Sequence, residues 1–213
     1  MKYQNFITIE GIDGAGKTTI IYELKKRFLD KKQNKYFFKN KEIIFTREPG
    51  NSGNDFLLKT RDLIVNYEIL PITELFLLQA NRAEHIQKFI FPFLKDNKII
   101  ICDRFIDSTF VYQGLKGIKD QDIIKTNKLA TLGVNPKTTY LIDLDPKLAQ
   151  ERIKNNKRVI NKFDQYDLDF HNKIRKRYLD LASKEKKRFV LIDGNKEISK
   201  IVEIIIRDLN KKF

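Results

Sequence analysis

A glycine-rich segment between a strand-like run and a helix-like run constrains the fold of this chain most strongly. It reads Gly11-Ile12-Asp13-Gly14-Ala15-Gly16-Lys17-Thr18, after a β-like run at 6–10 and before helical apolar spacing at 19–28. Glycines let the backbone turn tightly, so that successive N–H groups face one anion without an obstructing Cβ. In such a loop the lysine reaches the β and γ phosphates and the threonine hydroxyl is a ligand for Mg²⁺. The sequence therefore predicts a phosphate-binding loop for a nucleoside triphosphate.

Short β-branched runs alternate with longer helical patterns along the rest of the chain. The predicted strands are residues 6–10, 42–46, 98–103, 139–144 and 189–193, and the later predicted helices are residues 56–66, 73–95, 120–132, 170–187 and 199–210. Such alternation indicates parallel βαβ units with helices on both faces of the sheet. With 213 residues and 41 % hydrophobic content, we predict one α/β domain, residues 1–213, on a five-stranded parallel sheet. Its ligands should bind at the carboxyl ends of the strands.

The strong positive charge of the chain points to a phosphorylated partner. Lys and Arg number 42 against 28 Asp and Glu, which gives a net charge of +14. Nucleic acid or a phosphorylated small molecule would suit this charge. Much of the excess lies in residues 152–188, where few aromatic side chains are available to stack on bases. We therefore predict small-molecule substrates and no nucleic-acid partner.

Composition also bears on location and on metal chemistry. The sequence has no apolar run of eighteen residues and no signal-like start, so we expect no membrane association and a cytoplasmic protein. Cys102 is the only cysteine, which excludes an intramolecular disulfide. With only His85 and His171 as histidines, a zinc site or a Ser-His-Asp triad is disfavoured.

Three further segments carry polar and basic residues at predicted strand ends and in helices. They read Thr46-Arg-Glu-Pro-Gly50, Ala80-Asn-Arg-Ala-Glu-His85 and Asp103-Arg-Phe-Ile-Asp-Ser-Thr-Phe-Val-Tyr-Gln-Gly114. Together with the phosphate-binding loop, they resemble the motifs of the thymidylate kinase family in order and in spacing. The resemblance implies the P-loop kinase fold with a short lid. It further implies transfer of the γ-phosphoryl group of ATP to dTMP, Mg²⁺ as cofactor, and a homodimer.

The resemblance also implies roles for individual residues. Asp13 would hold the deoxyribose 3′-OH, Arg82 would read the thymine edge, and Tyr112 would lie against the sugar. The implied ATP-binding residues are Gly11, Ile12, Asp13, Gly14, Ala15, Gly16, Lys17, Thr18 and Thr19. The implied dTMP-binding residues are Asp13, Arg47, Glu48, Arg61, Leu78, Arg82, Arg104, Thr109, Tyr112 and Gln113. The implied catalytic residues are Lys17, Asp103, Arg104 and Arg158, and the implied metal ligands are Thr18 and Asp103.

Two of these assignments leave alternatives open. One branch of the family carries an arginine at the position of Gly14, so the resemblance implies that here the catalytic arginine comes from a lid at about 152–165. Arg158 is the first candidate and Arg152 the second. Arg61 matches an arginine on the acceptor phosphate if the loop is longer by about two residues, whereas Lys59 stands at the ungapped position.

The acceptor is the least constrained part of the prediction. Leu78 stands where the family usually has a phenylalanine, and loss of an aromatic contact to the base is worth about 0.5–1.5 kcal/mol. A kinase for another nucleoside monophosphate, such as dUMP or CMP, is therefore the nearest alternative. A P-loop ATPase coupled to a macromolecule is a more distant one. A GTPase is disfavoured because Asn127-Lys128-Leu129-Ala130 lacks the aspartate of a guanine-reading motif.

Overall fold

The computed structural model describes residues 3–50, 53–155 and 167–213, and its centre is one seven-stranded sheet. The strands are β1 (Phe6–Glu10), β2 (Leu29–Asp30), β3 (Lys35–Phe38), β4 (Lys41–Arg47), β5 (Ile99–Asp103), β6 (Thr138–Asp143) and β7 (Phe189–Asp193). Their order across the sheet is β2-β3-β4-β5-β1-β6-β7. The neighbours from β4 to β7 pair in parallel, as the sequence predicts.

The predicted number of five strands is wrong, because β2 and β3 add an antiparallel pair beside β4. The two strands have only two and four residues, and a tight turn joins them. Asn34 closes that turn with φ of 52° in the left-handed region, which asparagine tolerates better than most residues. Strands this short contain too few alternating positions to stand out from the end of the preceding helix.

Helices cover both faces of the sheet. They are α1 (Lys17–Phe28), α2 (Asp55–Asn66), α3 (Pro71–His85), α4 (Phe91–Lys95), α5 (Ile106–Leu115), α6 (Asp120–Thr131), α7 (Pro146–Asn155), α8 (Leu168–Lys184) and α9 (Ile198–Lys212). The predicted helix at 73–95 contains a π-helical segment, Ile86–Ile90, between α3 and α4. There the Phe91 N–H donates to the Ile86 carbonyl, one residue farther back than in an α-helix. The wider turn precedes Pro92, which has no N–H to donate.

Alternate residues of the central strands enter two separate cores. Ile99 and Ile101 of β5 pack into the core that includes α1, α8 and α9, whereas Ile100 and Cys102 pack against the π-helical segment and α4. Both faces of β5 are thus covered by apolar side chains. Because the inner strands are parallel, the carboxyl ends of β1, β4 and β5 meet at one edge, where Arg47 and Ile9 both lie opposite Asp103. Over the described ranges, no helix combines the length and apolar character needed to cross a bilayer.

Candidate active site

A cavity of about 970 Å³ opens at the carboxyl ends of β1, β4 and β5. It extends from the phosphate-binding loop to α3 and α5. The predicted site residues that line it are Asp13, Gly14, Gly16, Lys17, Thr18, Thr19, Arg47, Glu48, Arg61, Leu78, Arg82, Asp103, Arg104, Thr109, Tyr112 and Gln113. Gly11, Ile12 and Ala15 belong to the same loop but face the core side and do not line the cavity. Arg158 and most of the predicted lid lie outside the described residues.

The phosphate-binding loop has a conformation that requires glycine at Gly14. Its φ is +81°, and a Cβ built there would lie 2.4 Å from the backbone oxygen of Ala149 in α7. No side chain, arginine included, could occupy this position without moving α7. Lys17 Nζ donates to the carbonyls of Gly11 and Ile12, at 3.0 and 2.9 Å. Burial, followed by the charge of Arg104, lowers the pKa of Lys17 to about 8.

Asp13 connects the phosphate-binding loop to Arg104, which precedes α5, and to Tyr112 of α5 through two charge-assisted contacts. Its Oδ1 accepts from Arg104 Nη2 at 2.8 Å, and its Oδ2 accepts from the Tyr112 hydroxyl at 3.0 Å. Burial alone would raise the pKa of Asp13, but the charges of Arg104 and Lys17 hold it below its usual value. Asp13 is therefore ionised at neutral pH and fixes two side chains of the cavity.

Glu10, at the end of β1, positions Arg104 indirectly, through the hydroxyl groups of two other residues. Its Oε2 accepts from the hydroxyls of Ser108 and Tyr178, at 2.7 and 2.9 Å. Because both hydroxyls donate to the carboxylate, their oxygens present lone pairs to Arg104 Nη1, at 3.0 and 3.3 Å. Glu10 Oε1 accepts from the Phe105 N–H at 2.7 Å. This bond secures the backbone beside Arg104, whose φ of 64° is unusual for a residue with a side chain.

The pH dependence of stability should report on Glu10. Burial and the neighbouring Asp107 raise its pKa from 4.5 to about 7, against the opposing charge of Arg104. Between those pH values the folded state binds more protons than the unfolded state, so stability falls as pH rises through the folded pKa. Relative to Glu10→Gln, the wild type should lose up to about 3 kcal/mol of unfolding free energy between pH 4.5 and 8. Urea unfolding at several pH values measures this difference, and a flat difference curve would contradict it.

Arg47 and Arg61 lie near Asp103 at the edge of the sheet. Arg47 Nη2 lies 3.9 Å from Asp103 Oδ2, and Arg61 Nη1 donates to the Pro49 carbonyl at 2.9 Å. Burial and the nearby charge of Arg47 lower the pKa of Arg61 to about 10, which still leaves it charged at neutral pH. Lys59 points away from the cavity with 80 % of its side chain exposed. Of the two sequence candidates, Arg61 is therefore the one placed beside Arg47 and Arg104.

Arg82 is buried at the centre of a polar network beneath the cavity. Its guanidinium donates to five acceptors, which are Glu48 Oε2 (2.7 Å), Gln79 Oε1 (3.1 Å), Asn127 Oδ1 (2.7 Å), the Phe105 carbonyl (3.3 Å) and Thr109 Oγ1 (2.9 Å). The other carboxylate oxygen of Glu48, Oε1, lies 3.2 Å from His85 Nδ1, within hydrogen-bonding distance. The guanidinium thus links the turn after β4 to α3, α5 and α6. The motif alone does not indicate this structural role of Arg82.

The deep end of the cavity combines apolar walls with few polar groups. Ile64, Val65 and Leu78 form an apolar wall, and the Phe105 ring lies nearby with the Arg82 guanidinium 5.3 Å from its centroid. Gln113 contributes the polar end of this compartment. A flat, largely apolar ring with a few hydrogen-bonding groups suits such a lining.

The donors near Asp103 fit a magnesium ion. Asp103 Oδ1 is buried without a hydrogen-bond partner among the described residues, so an acceptor is left for a ligand. Thr18 lines the same cavity at the start of α1. Within ranges 3–50, 53–155 and 167–213, no group of three or more His, Cys, Asp or Glu residues is arranged so that it could hold a metal ion. Mg²⁺ commonly takes one or two protein ligands and completes its shell with water and phosphate oxygens, so two donors suffice.

The loop after β7 also lines the cavity, and no motif drew attention to it. Asn195, Lys196 and Glu197 of this loop line it, together with Ile198 at the start of α9, whose side chain lies beside Gly16 of the phosphate-binding loop. Arg152 of α7 also lines the cavity and donates to the Gly194 carbonyl at 3.2 Å. The rule that ligands bind beyond the carboxyl ends of parallel strands would have indicated this loop.

Comparison with known proteins agrees with the motifs. A sequence model of the thymidylate kinase family matches residues 9–205. The chain belongs to the thymidylate kinase family. It is 36 % identical over 210 residues to the thymidylate kinase of Ligilactobacillus salivarius (strain UCC118), with 96 % of this chain and 97 % of that protein covered. It is 40 % identical over 214 residues to that of Aster yellows witches'-broom phytoplasma (strain AYWB), with 98 % of both covered. The predicted family and P-loop kinase fold are confirmed.

Proposed function

We propose that this chain transfers the γ-phosphoryl group of ATP to dTMP, which gives dTDP and ADP. The observation that carries the proposal is the single cavity that joins the phosphate-binding loop to an apolar compartment through Asp103, Arg104 and Arg61. A cavity of this form can hold a donor triphosphate and an acceptor monophosphate end to end. Membership of the chain in the thymidylate kinase family supports the same reaction.

In this reaction the side chains mainly position the substrates and stabilise charge, as is general for phosphoryl transfer. Lys17 would contact the β and γ phosphates of ATP, and Arg104 would contact the acceptor phosphate with a planar fork that lysine lacks. Thr18 and Asp103 would hold Mg²⁺, which when bound neutralises phosphate charge. A lid at about 152–165 in a single-domain chain, with Arg158 as its catalytic arginine, remains part of this proposal.

On the acceptor side, Asp13 and Tyr112 are hydrogen-bonded to each other and would both contact the sugar. Asp13 would accept a hydrogen bond from the 3′-OH, and the Tyr112 ring would disfavour a 2′-OH. Thr109, Gln113 and Arg82 would surround the polar edge of the base, with Leu78 on its face. Arg47 and Glu48 would shape the pocket, the former beside the phosphate and the latter through Arg82.

The test is ADP release by the purified protein with a panel of nucleoside monophosphates. We expect the highest kcat/KM with dTMP and a smaller value with dUMP, since one methyl group is worth about 1–3 kcal/mol. A turnover with dTMP no greater than that with AMP, CMP or no acceptor would contradict the proposal.

Replacement of Arg61 and of Lys59 should show which of the two side chains contacts the acceptor phosphate. We expect Arg61→Ala to raise the KM for dTMP about 10-fold to 100-fold with little effect on the KM for ATP, because a charge-assisted contact to phosphate is worth about 1.5–3 kcal/mol. Lys59→Ala removes an exposed cation two residues away and should leave both constants unchanged. Steady-state kinetics of the two variants decide between them, and equal effects would contradict the placement of Arg61.

We also propose a homodimer in the cytoplasm. Exposed large apolar side chains are concentrated on α2, α3 and α6 and on the loop between α2 and α3; they include Phe56, Leu63, Leu70, Phe76, Ile124 and Leu129. Several exposed apolar side chains on neighbouring helices are typical of an interface between subunits. Cys102 is free and buried, which suits a reducing compartment.

A further inference from the structure

Glu74 on α3 is almost completely buried, next to Gln113 of α5. Its Oε1 accepts from Gln113 Nε2 at 2.7 Å and from Lys116 Nζ at 2.7 Å. Both partners lie on or directly after α5, so the carboxylate joins two helices from within the core. Nothing in the phosphoryl-transfer chemistry above requires this group.

The contact fixes which way the Gln113 amide faces. An ionised carboxylate only accepts hydrogen bonds, so the NH₂ group of Gln113 must turn toward Glu74 and its carbonyl must turn away. Gln113 lines the cavity, and its Oε1 is buried without a hydrogen-bond partner among the described residues. A buried acceptor left in this condition costs about 1–3 kcal/mol unless a ligand satisfies it. The compartment therefore favours a ligand that offers an N–H donor at this point.

We propose that Glu74 is a positioning residue that sets the pyrimidine selectivity of the acceptor site, by holding the Gln113 carbonyl toward the base. This rests on the function proposed above. Thymine and uracil carry an N–H at ring position 3, whereas cytosine has an unprotonated nitrogen acceptor there. With the amide fixed by Glu74, the carbonyl accepts from thymine or uracil and faces a lone pair of cytosine. Discrimination against cytosine would then come from an acceptor facing an acceptor.

Glu74→Gln tests the proposal because a neutral amide at position 74 can donate as well as accept. The Gln113 amide is then able to turn and offer its NH₂ group to cytosine. We expect the ratio of kcat/KM for dTMP over dCMP to fall about 10-fold to 100-fold, with the absolute kcat/KM for dCMP rising. The ratio for dTMP over dUMP should stay within about twofold, since both bases share the N–H. Glu84→Gln removes a surface carboxylate from the same helix and should change neither ratio.

Two further variants distinguish a specific change in selectivity from a general loss of structure. Glu74→Gln combined with Lys116→Met removes both charges of the pair and should give the same selectivity change if the single variant is unstable. In a Gln113→Leu background, Glu74→Gln should not change the dTMP over dCMP ratio further. A ratio near the wild-type value, or a fall without any gain for dCMP, would overturn the role of Glu74. Wild-type protein that does not prefer dTMP to dCMP would instead contradict the proposed function itself.

Discussion

Replacing Arg82 with alanine is expected to lower the free energy of unfolding by about 3–5 kcal/mol, because it removes one member of a buried ion pair. The guanidinium is 2 % exposed and lies 2.7 Å from Glu48 Oε2. Without it, the Glu48 carboxylate stays buried with His85 as its remaining partner in the network described above. The acceptors on α3, α5 and α6 lose a shared donor at the same time. Urea unfolding followed by circular dichroism measures the loss.

Two variants calibrate this result. Arg82→Lys keeps the charge but offers fewer donors in no fixed plane, so it should lose less stability than Arg82→Ala. Arg175→Ala breaks a bidentate pair with Asp143 in which the arginine is one-third exposed, and it should cost about 1 kcal/mol or less. In the folded fraction of Arg82→Lys, the KM for dTMP should rise more than the KM for ATP. A loss for Arg82→Ala equal to that for Arg175→Ala would show that the network is not central to the fold.

The parallel part of the fold could be predicted because its signals are local. The run before Gly11 and the helix after Thr18 are contiguous with the loop they flank, and each inner strand is a short run rich in β-branched and apolar residues. The hairpin of β2 and β3 gives no comparable signal, since its pairing depends on a left-handed residue, Asn34, and on the edge of β4. Topology rather than propensity places these strands.

Some residues of the site could likewise be predicted from the sequence, and others could not. Motif residues such as Lys17 and Arg104 could be named from the sequence, although their roles stay predictions. Glu10 and Tyr178 are 168 residues apart, and no local pattern relates them. Glu74 likewise looks like an ordinary polar position in a helix until α5 is packed against it. Whether Arg61 or Lys59 faces the cavity depends on the rotation of α2, which spacing alone leaves open.

Arg104→Lys is expected to lower kcat about 1,000-fold or more, within the range known for arginines that stabilise phosphoryl transfer. The guanidinium is held by Asp13 through Nη2 and by the hydroxyls of Ser108 and Tyr178 through Nη1. This arrangement fixes its plane, and a planar fork can meet two phosphate oxygens at once. Lysine keeps the charge, but its single ammonium group cannot contact Asp13, the two hydroxyl groups and the phosphate at the same time. Single-turnover kinetics with saturating ATP and dTMP separate this effect on chemistry from effects on binding.

The supporting side chains supply a graded control for the same mechanism. Ser108→Ala and Tyr178→Phe each remove one neutral partner of the guanidinium, worth about 0.5–1.5 kcal/mol, so each should lower kcat only about 2-fold to 10-fold. Both leave the charge and the fork in place. If Arg104→Lys lowers kcat no more than Ser108→Ala does, positive charge alone is sufficient at this position. A large loss for the lysine variant with small losses for the other two would instead show that the orientation of the fork, set from Asp13 and Glu10, determines the rate.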